Sequence, residues 1–179
     1  MPKGNKEAEI QCRVANFFGI KQITIPNVNF AWASCKIPKY NKRGDLERFD
    51  YPFEGIRHEA DLITINGNDY MNEIECKCSY SDFLADFRKK ENHITKYTRS
   101  VYYAFDGELY AVKKDEIHKK LNDKFPEAGI IVVNKHVCSI EKKPKYFKVD
   151  KIPIEVKLYL MRIGCHKWWN IYSCEAFDE

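Results

Sequence analysis

The sequence predicts one α/β domain built on a central mixed β-sheet flanked by helices. Three observations lead there. A chain of 179 residues matches the size of a single domain. Ile and Val number 27 against 7 Leu, and β-branched side chains suit a pleated, half-buried surface. The patterned segments then alternate: helix, strands, helix, strand, helix, strand, helix.

Composition bounds the rest. With 44% apolar residues and 14% aromatics, the chain can build a sizeable core and does not read as disordered. The longest apolar stretch, residues 128–133, is too short to span a membrane. The first residues carry no apolar run of a secretory signal, so an intracellular, cytoplasmic protein is expected. Seven cysteines, an odd number without any CxxC pair, read as free structural thiols. A zinc site gathering Cys76, Cys78 and His166 is the less favoured alternative, because the knuckle spacing is missing.

Residues 5–18 have the periodicity of an amphipathic helix. Ile10, Val14 and Phe17 or Phe18 recur at helical spacing, Asn5 is placed to cap it and Gly19 to stop it. Glu7 lies at the edge of the buried stripe, with Gln11 one turn below, and Glu9 points towards solvent. A strand is expected near 28–32. Residues 36–53, with Pro38, Gly44, Pro52 and clustered charges, read as a long surface loop. The segment 60–65 alternates as a strand, Asn66-Gly67-Asn68-Asp69 is turn chemistry, and 70–78 is a second strand. Ser79 or Ser81 caps a following helix that contains Asp82, Phe83, Leu84 and Phe87. A strand at 101–105, a helix at 115–122 and a buried strand at 129–133 come next. A final helix starts at Pro153, within a basic C-terminal part at 141–179.

The chemistry concentrates in the central hairpin. Alternation puts Glu73, Glu75 and Lys77 on one strand face and Ile74, Cys76 and Cys78 on the other. Such a charged row must meet either water or a ligand. Hard cations such as Mg²⁺ take oxygen ligands, often one or two carboxylates, so Asp61 and Glu75 converging at a strand edge suit one. Lys77, two residues along the same face, can then position or help deprotonate the attacking water and offset charge on a phosphate. The geometry depends on register. A three-residue loop, Gly67-Asn68-Asp69, sets Asp61 opposite Glu75, whereas a two-residue loop sets it opposite Ile74 and separates the carboxylates. The three-residue loop is therefore predicted. The bland alternative is a solvated strand face carrying a Glu-Lys ion pair of little worth.

Glu7, Asp61 and Glu75-Cys76-Lys77 resemble the signature of the PD-(D/E)xK nuclease superfamily. Glu59-Ala60-Asp61-Leu62, the run from Ile74 through Phe83, then Asp86 and Lys89, are similar to its MmcB-like DNA-repair branch and phage relatives. Ala60 stands where that signature has proline. The resemblance implies a restriction-endonuclease-like core, Mg²⁺ or Mn²⁺ dependence, and phosphodiester hydrolysis in nucleic acid, DNA rather than RNA. It implies Glu7, Asp61 and Glu75 as metal ligands with the Cys76 carbonyl, and Lys77 as the catalytic lysine. A homodimer is a further possibility it brings. For Glu7, the alternative role is to complement the helix dipole.

Lys89, Lys90 and His93 follow the capped helix and are candidates for phosphate contact, against the alternative of a solvated helix face. Two segments mix cations with rings, residues 36–48 with Trp32, Tyr40 and Phe49, and 142–157 with Tyr146 and Phe147, a composition suited to backbone neutralisation and base stacking. The net charge of +4 is a modest support. A non-catalytic nucleic-acid-binding module that keeps the nuclease fold is the competing reading.

Overall fold

The structure, a computed structural model, describes residues 6–30, 35–54, 59–88 and 95–176, with side chains through Lys167. Its elements are α1 (Lys6–Phe18), β1 (Ile23–Asn29), β2 (Ile37–Tyr40), β3 (Leu46–Asp50), β4 (Glu59–Ile65), β5 (Met71–Lys77), α2 (Tyr80–Asp86), β6 (Thr98–Asp106), α3 (Gly107–Lys124), β7 (Gly129–Val133), β8 (Cys138–Lys142) and α4 (Ile154–Ala176). Six strands form one sheet in the order β1-β4-β5-β6-β7-β8, and β2 and β3 form a separate two-stranded sheet. β4 runs antiparallel to both β1 and β5, β5, β6 and β7 are mutually parallel, and β8 closes the edge antiparallel. The α/β class and mixed sheet expected from the sequence are therefore observed.

Both faces of the sheet are covered. On one, Ile10 and Val14 of α1 pack with Leu62, Ile74, Cys76, Ala104 and Ile131. On the other, Phe83 of α2 and Ile117 and Leu121 of α3 pack on Tyr103, Phe105, Ile130 and Val132. Beside them Val156 and Leu160 of α4 cover Ile25, Ile63, Ile65 and Met71. β5, flanked by strands on both sides and covered on both faces, is buried at every position.

Several expectations shift. The strand placed near 28–32 is β1, which starts five residues earlier and contains Pro26. The loop expected at 36–53 is instead the β2–β3 hairpin. Its turn is built by Asn41, whose Oδ1 accepts from Arg43 N and Asp45 N (2.8 and 3.0 Å), and by Gly44 at φ +86°. The helix expected at 115–122 is the second part of α3, which kinks at Lys113 (φ −118°). Its first part, from Gly107, was not expected, and Asp106, the last residue of β6, caps it by accepting from Glu108 N and Leu109 N. A cap that is also the last strand residue leaves no turn signal. β8 was not expected at all. No helix among the described residues is long and apolar enough to cross a membrane.

Candidate active site at the end of β5

Asp61 and Glu75 come from adjacent antiparallel strands. The β4–β5 ladder pairs Ile65 with Met71 and Leu62 with Ile74. One step further sets Asp61 across from Glu75 on the same face. The connection is the three-residue loop Gly67-Asn68-Asp69: Asn66 N–H donates to Tyr70 O and Asp69 N–H to Asn66 O, both at 3.0 Å. Asp69 takes the left-handed conformation (φ 63°) that closes such a loop, and its carboxylate meets Lys157 Nζ at 2.6 Å. The register foreseen from the turn residues is thus the one observed.

The hydrogen-bonded ladder stops at Leu62, and there Asp61 substitutes for it. Its Oδ2 accepts from Cys76 N–H at 2.8 Å, so the carboxylate sits where β4 leaves β5. Burial, then the charges of Glu75 and more distantly Glu7, push the Asp61 carboxyl up to about 7, against the pull of the Cys76 N–H and Lys77.

Lys77 is the cation of this corner. Although 4% exposed, its ammonium lies 2.9 Å from Asp86 Oδ2, 3.2 Å from Glu75 Oε2 and 3.9 Å from Asp82 Oδ2. Burial alone disfavours its charge, but Glu75 and Asp86 more than offset this and hold its pKa above the ordinary lysine value. The solvated-face alternative is therefore overturned: Glu73, Glu75 and Lys77 are 0 to 4% exposed. These charges are shielded from bulk water. Lys77 pairs with Glu75 and Asp86, and the buried Tyr103 hydroxyl nearby is pushed up by burial and by Asp86 and Glu75.

Asp86 is the site residue that site selection from sequence missed. Ser79 accepts from Asp82 N–H at 3.2 Å and starts α2, and Phe83 locks the helix against Tyr103 and Phe105 at ring distances of 5.4 and 5.1 Å. Asp86, three residues beyond Phe83, shares its inward face and so reaches Lys77. The signal was available in the i, i+4 pair Asp82 and Asp86 on a capped helix immediately after Lys77.

On the far side of the sheet, the α1 carboxylate of Glu7 is exposed in the first helical turn. Its charge nonetheless raises the pKa of Asp61, Cys76 and Cys78, which places it at the same end of the sheet. Gln11 holds this arrangement together, donating from Nε2 to Glu7 Oε1 (3.2 Å) and Asn27 Oδ1 (2.8 Å). Asn27, between the pairs Pro26–Leu62 and Val28–Ala60, has φ 50° and so kinks β1 beside Asp61. Lys167 Nζ binds the carbonyls of Pro26 and Asn27 from α4. The Pro26-Asn27 dipeptide inside an otherwise β-like run was the sequence signal for this kink.

The Cys76 thiol points into the α1 cluster and burial raises its pKa, so its carbonyl is the Cys76 group suited to a hard cation. Cys76 packs on the α1 side and α4, which carries His166, on the other cluster, so the zinc alternative is not supported. Among the described residues no group of three or more His, Cys, Asp or Glu stands ready to hold a metal ion. Mg²⁺ asks for less, one or two carboxylates and several waters, and the oxygen donors of Asp61 and Glu75 fit that requirement. Lys89, Lys90 and His93 lie outside the described residues.

No family model matches the chain, and no curated protein matches it. A solved structure of a protein of unknown function from Silicibacter pomeroyi is similar, with a TM-score of 0.55 and 15% identity over 97% of this chain and 93% of that one. At that identity the likeness concerns the fold alone.

Proposed function

We propose that the protein is a divalent-metal-dependent nuclease that hydrolyses phosphodiester bonds in DNA, in repair, recombination or phage replication. The observation that carries the reading is the fully buried Lys77 ammonium, held between Glu75 and Asp86 on a strand whose neighbour supplies Asp61 across from Glu75. Burying charges costs free energy unless they are well paired, and apolar residues would fill the same space more cheaply. A row of them at a strand end is better explained by chemistry than by packing.

Asp61 and Glu75 would hold Mg²⁺ or Mn²⁺, with the Cys76 carbonyl, and Glu7 approaches from α1. The ion, when bound, supplies Lewis-acid polarisation of the phosphate and acidifies water. The chain's own residues do the rest. Lys77, kept charged by its two carboxylate partners, orients the attacking water and offsets negative charge developing on the phosphate. Asp86 positions Lys77 Nζ. Cys76 N–H fixes the Asp61 carboxylate so that its second oxygen can face a ligand.

The test is Mg²⁺- and Mn²⁺-dependent cleavage of labelled single-stranded, double-stranded and forked DNA and RNA, with Asp61→Asn and Lys77→Ala as controls. Wild type cuts DNA, and each variant loses at least about a hundredfold in rate. Wild type leaving every substrate intact contradicts the reading.

A second reading, a nucleic-acid-binding module without catalysis, is favoured by the closed state of Lys77, already engaged by carboxylates on both sides. It predicts DNA binding that is salt-sensitive and indifferent to metal.

A further inference from the structure

The β2–β3 hairpin carries its polarity inside out. Its register pairs Pro38 with Phe49, Lys39 with Arg48 and Tyr40 with Leu46. Alternation puts Pro38, Tyr40 and Phe49 on one face, and the register shift beside Tyr40 sets Leu46 across from Tyr40. That face is open: Tyr40 is 62%, Leu46 52% and Phe49 44% exposed. The opposite face holds Lys39, Arg48 and Asp50 in ion pairs of 3.6 and 3.4 Å. At the tip, the Asn41 side chain stiffens the turn that presents exposed Lys42 and Arg43. At the base, Ile37 and Phe53 are 5 and 3% exposed in the core cluster, so the hairpin is anchored rather than loosely tethered.

Position adds the second argument. The hairpin lies between the end of β1 and the start of β4, where Asn29 pairs with Glu59. Asp61 lies two residues into β4, and Lys77 ends the antiparallel β5 at the same end of the sheet. The open face and the buried charges thus share one end of the molecule.

Resting on the reading of the protein as one that acts on DNA, we propose that this hairpin is an arm that engages locally unstacked bases, making a junction of paired and unpaired DNA the preferred substrate. Tyr40 and Phe49 offer rings on which bases stack, and Leu46 and Pro38 are the kind of apolar wedge that parts base steps. Lys42 and Arg43 supply the cations that neutralise flanking phosphates. A second copy of the chain fits the face less well, because four partly exposed side chains fall far short of the roughly 1,000 Å² that a stable protein interface buries.

The experiment measures binding of the full chain, in EDTA, to fluorescently labelled forked and fully paired DNA. It compares wild type with the Tyr40→Ser/Phe49→Ser double variant, with melting curves to show that both are folded. Wild type favours the fork, and the double variant loses about tenfold or more in affinity for it with little change for the paired duplex. Equal affinity of the two proteins for the fork overturns the proposal. So does a wild-type dimer that the double variant converts to monomer in sedimentation, since a second copy would then cover the face. Cleavage with Mg²⁺ or Mn²⁺ is scored separately. Cutting by both proteins with unchanged fork affinity sinks the arm and leaves the nuclease reading intact. Arm-dependent fork binding by a wild type that cuts nothing does the reverse.

Discussion

β5 and the β2–β3 hairpin are both short β-structures at one end of the same molecule, and they distribute polarity in opposite ways. β5 buries Glu73, Glu75 and Lys77 at 4% exposure or less, with apolar Ile74 and Cys76 equally buried behind them. The hairpin leaves Tyr40, Leu46 and Phe49 in solvent. Ordinary packing explains neither, since charged side chains are seldom fully buried and contiguous exposed apolar faces are rare on monomers. The difference teaches how each region is held. β5 is fixed by the sheet, so Lys77 must be satisfied in place by Glu75 and Asp86. The hairpin is fixed only at its base, so its open face costs little stability.

The largest expected effect sharpens that contrast. Lys77→Ala leaves Glu75 and Asp86 buried without their ammonium and is expected to lower stability by about 3–5 kcal/mol, read from urea denaturation. A loss within about 0.5 kcal/mol would show that the cluster is looser than its geometry.

Asp61→Asn goes the other way. Asp61 holds its proton up to about pH 7 when folded, against 3.8 as the ordinary value, so the folded state binds more protons between those limits. Its contribution is therefore a stability that is lost as pH rises from about 4 to about 7. Asparagine keeps an oxygen for Cys76 N–H and cannot ionise. The variant's melting temperature, measured without divalent ions, is expected to exceed that of wild type at pH 8 and to approach it at pH 4. A variant less stable at pH 8 would break this account.

Ser79→Ala removes the cap of α2 and is expected to cost about 1 kcal/mol, with a fall in cleavage because α2 carries Asp86 to Lys77. Stability loss with full activity would show that Asp86 does not position the lysine. The smallest effect belongs to the hairpin: Tyr40→Ser/Phe49→Ser is expected to leave stability within about 0.5 kcal/mol of wild type, by thermal melts.

The hairpin joining β4 and β5 was legible in the sequence because its turn residues and the period-2 alternation specify the same register. The Ser79 cap and the buried 129–133 strand were legible for similarly local reasons. The β2–β3 hairpin was not, since Pro38 and the clustered charges resemble loop chemistry and its alternation spans only four residues on one side. The part of α3 before its kink at Lys113 was not read because its cap is the last residue of β6. Asp86 was missed as the partner of Lys77 because the Asp82–Asp86 spacing marks a helix face but does not say which strand residue that face will meet. The burial of the charged row was missed for the same reason: alternation assigns residues to a face, but only the layers packed on it decide whether that face is wet.

The most direct test of the central claim is DNA cleavage in Mg²⁺ or Mn²⁺ by wild type and by folded Asp61→Asn. The account predicts cutting by wild type, at least about a hundredfold slower in the variant, with DNA binding retained by both. Equal cleavage by the two proteins, or none by wild type on any substrate, would contradict it.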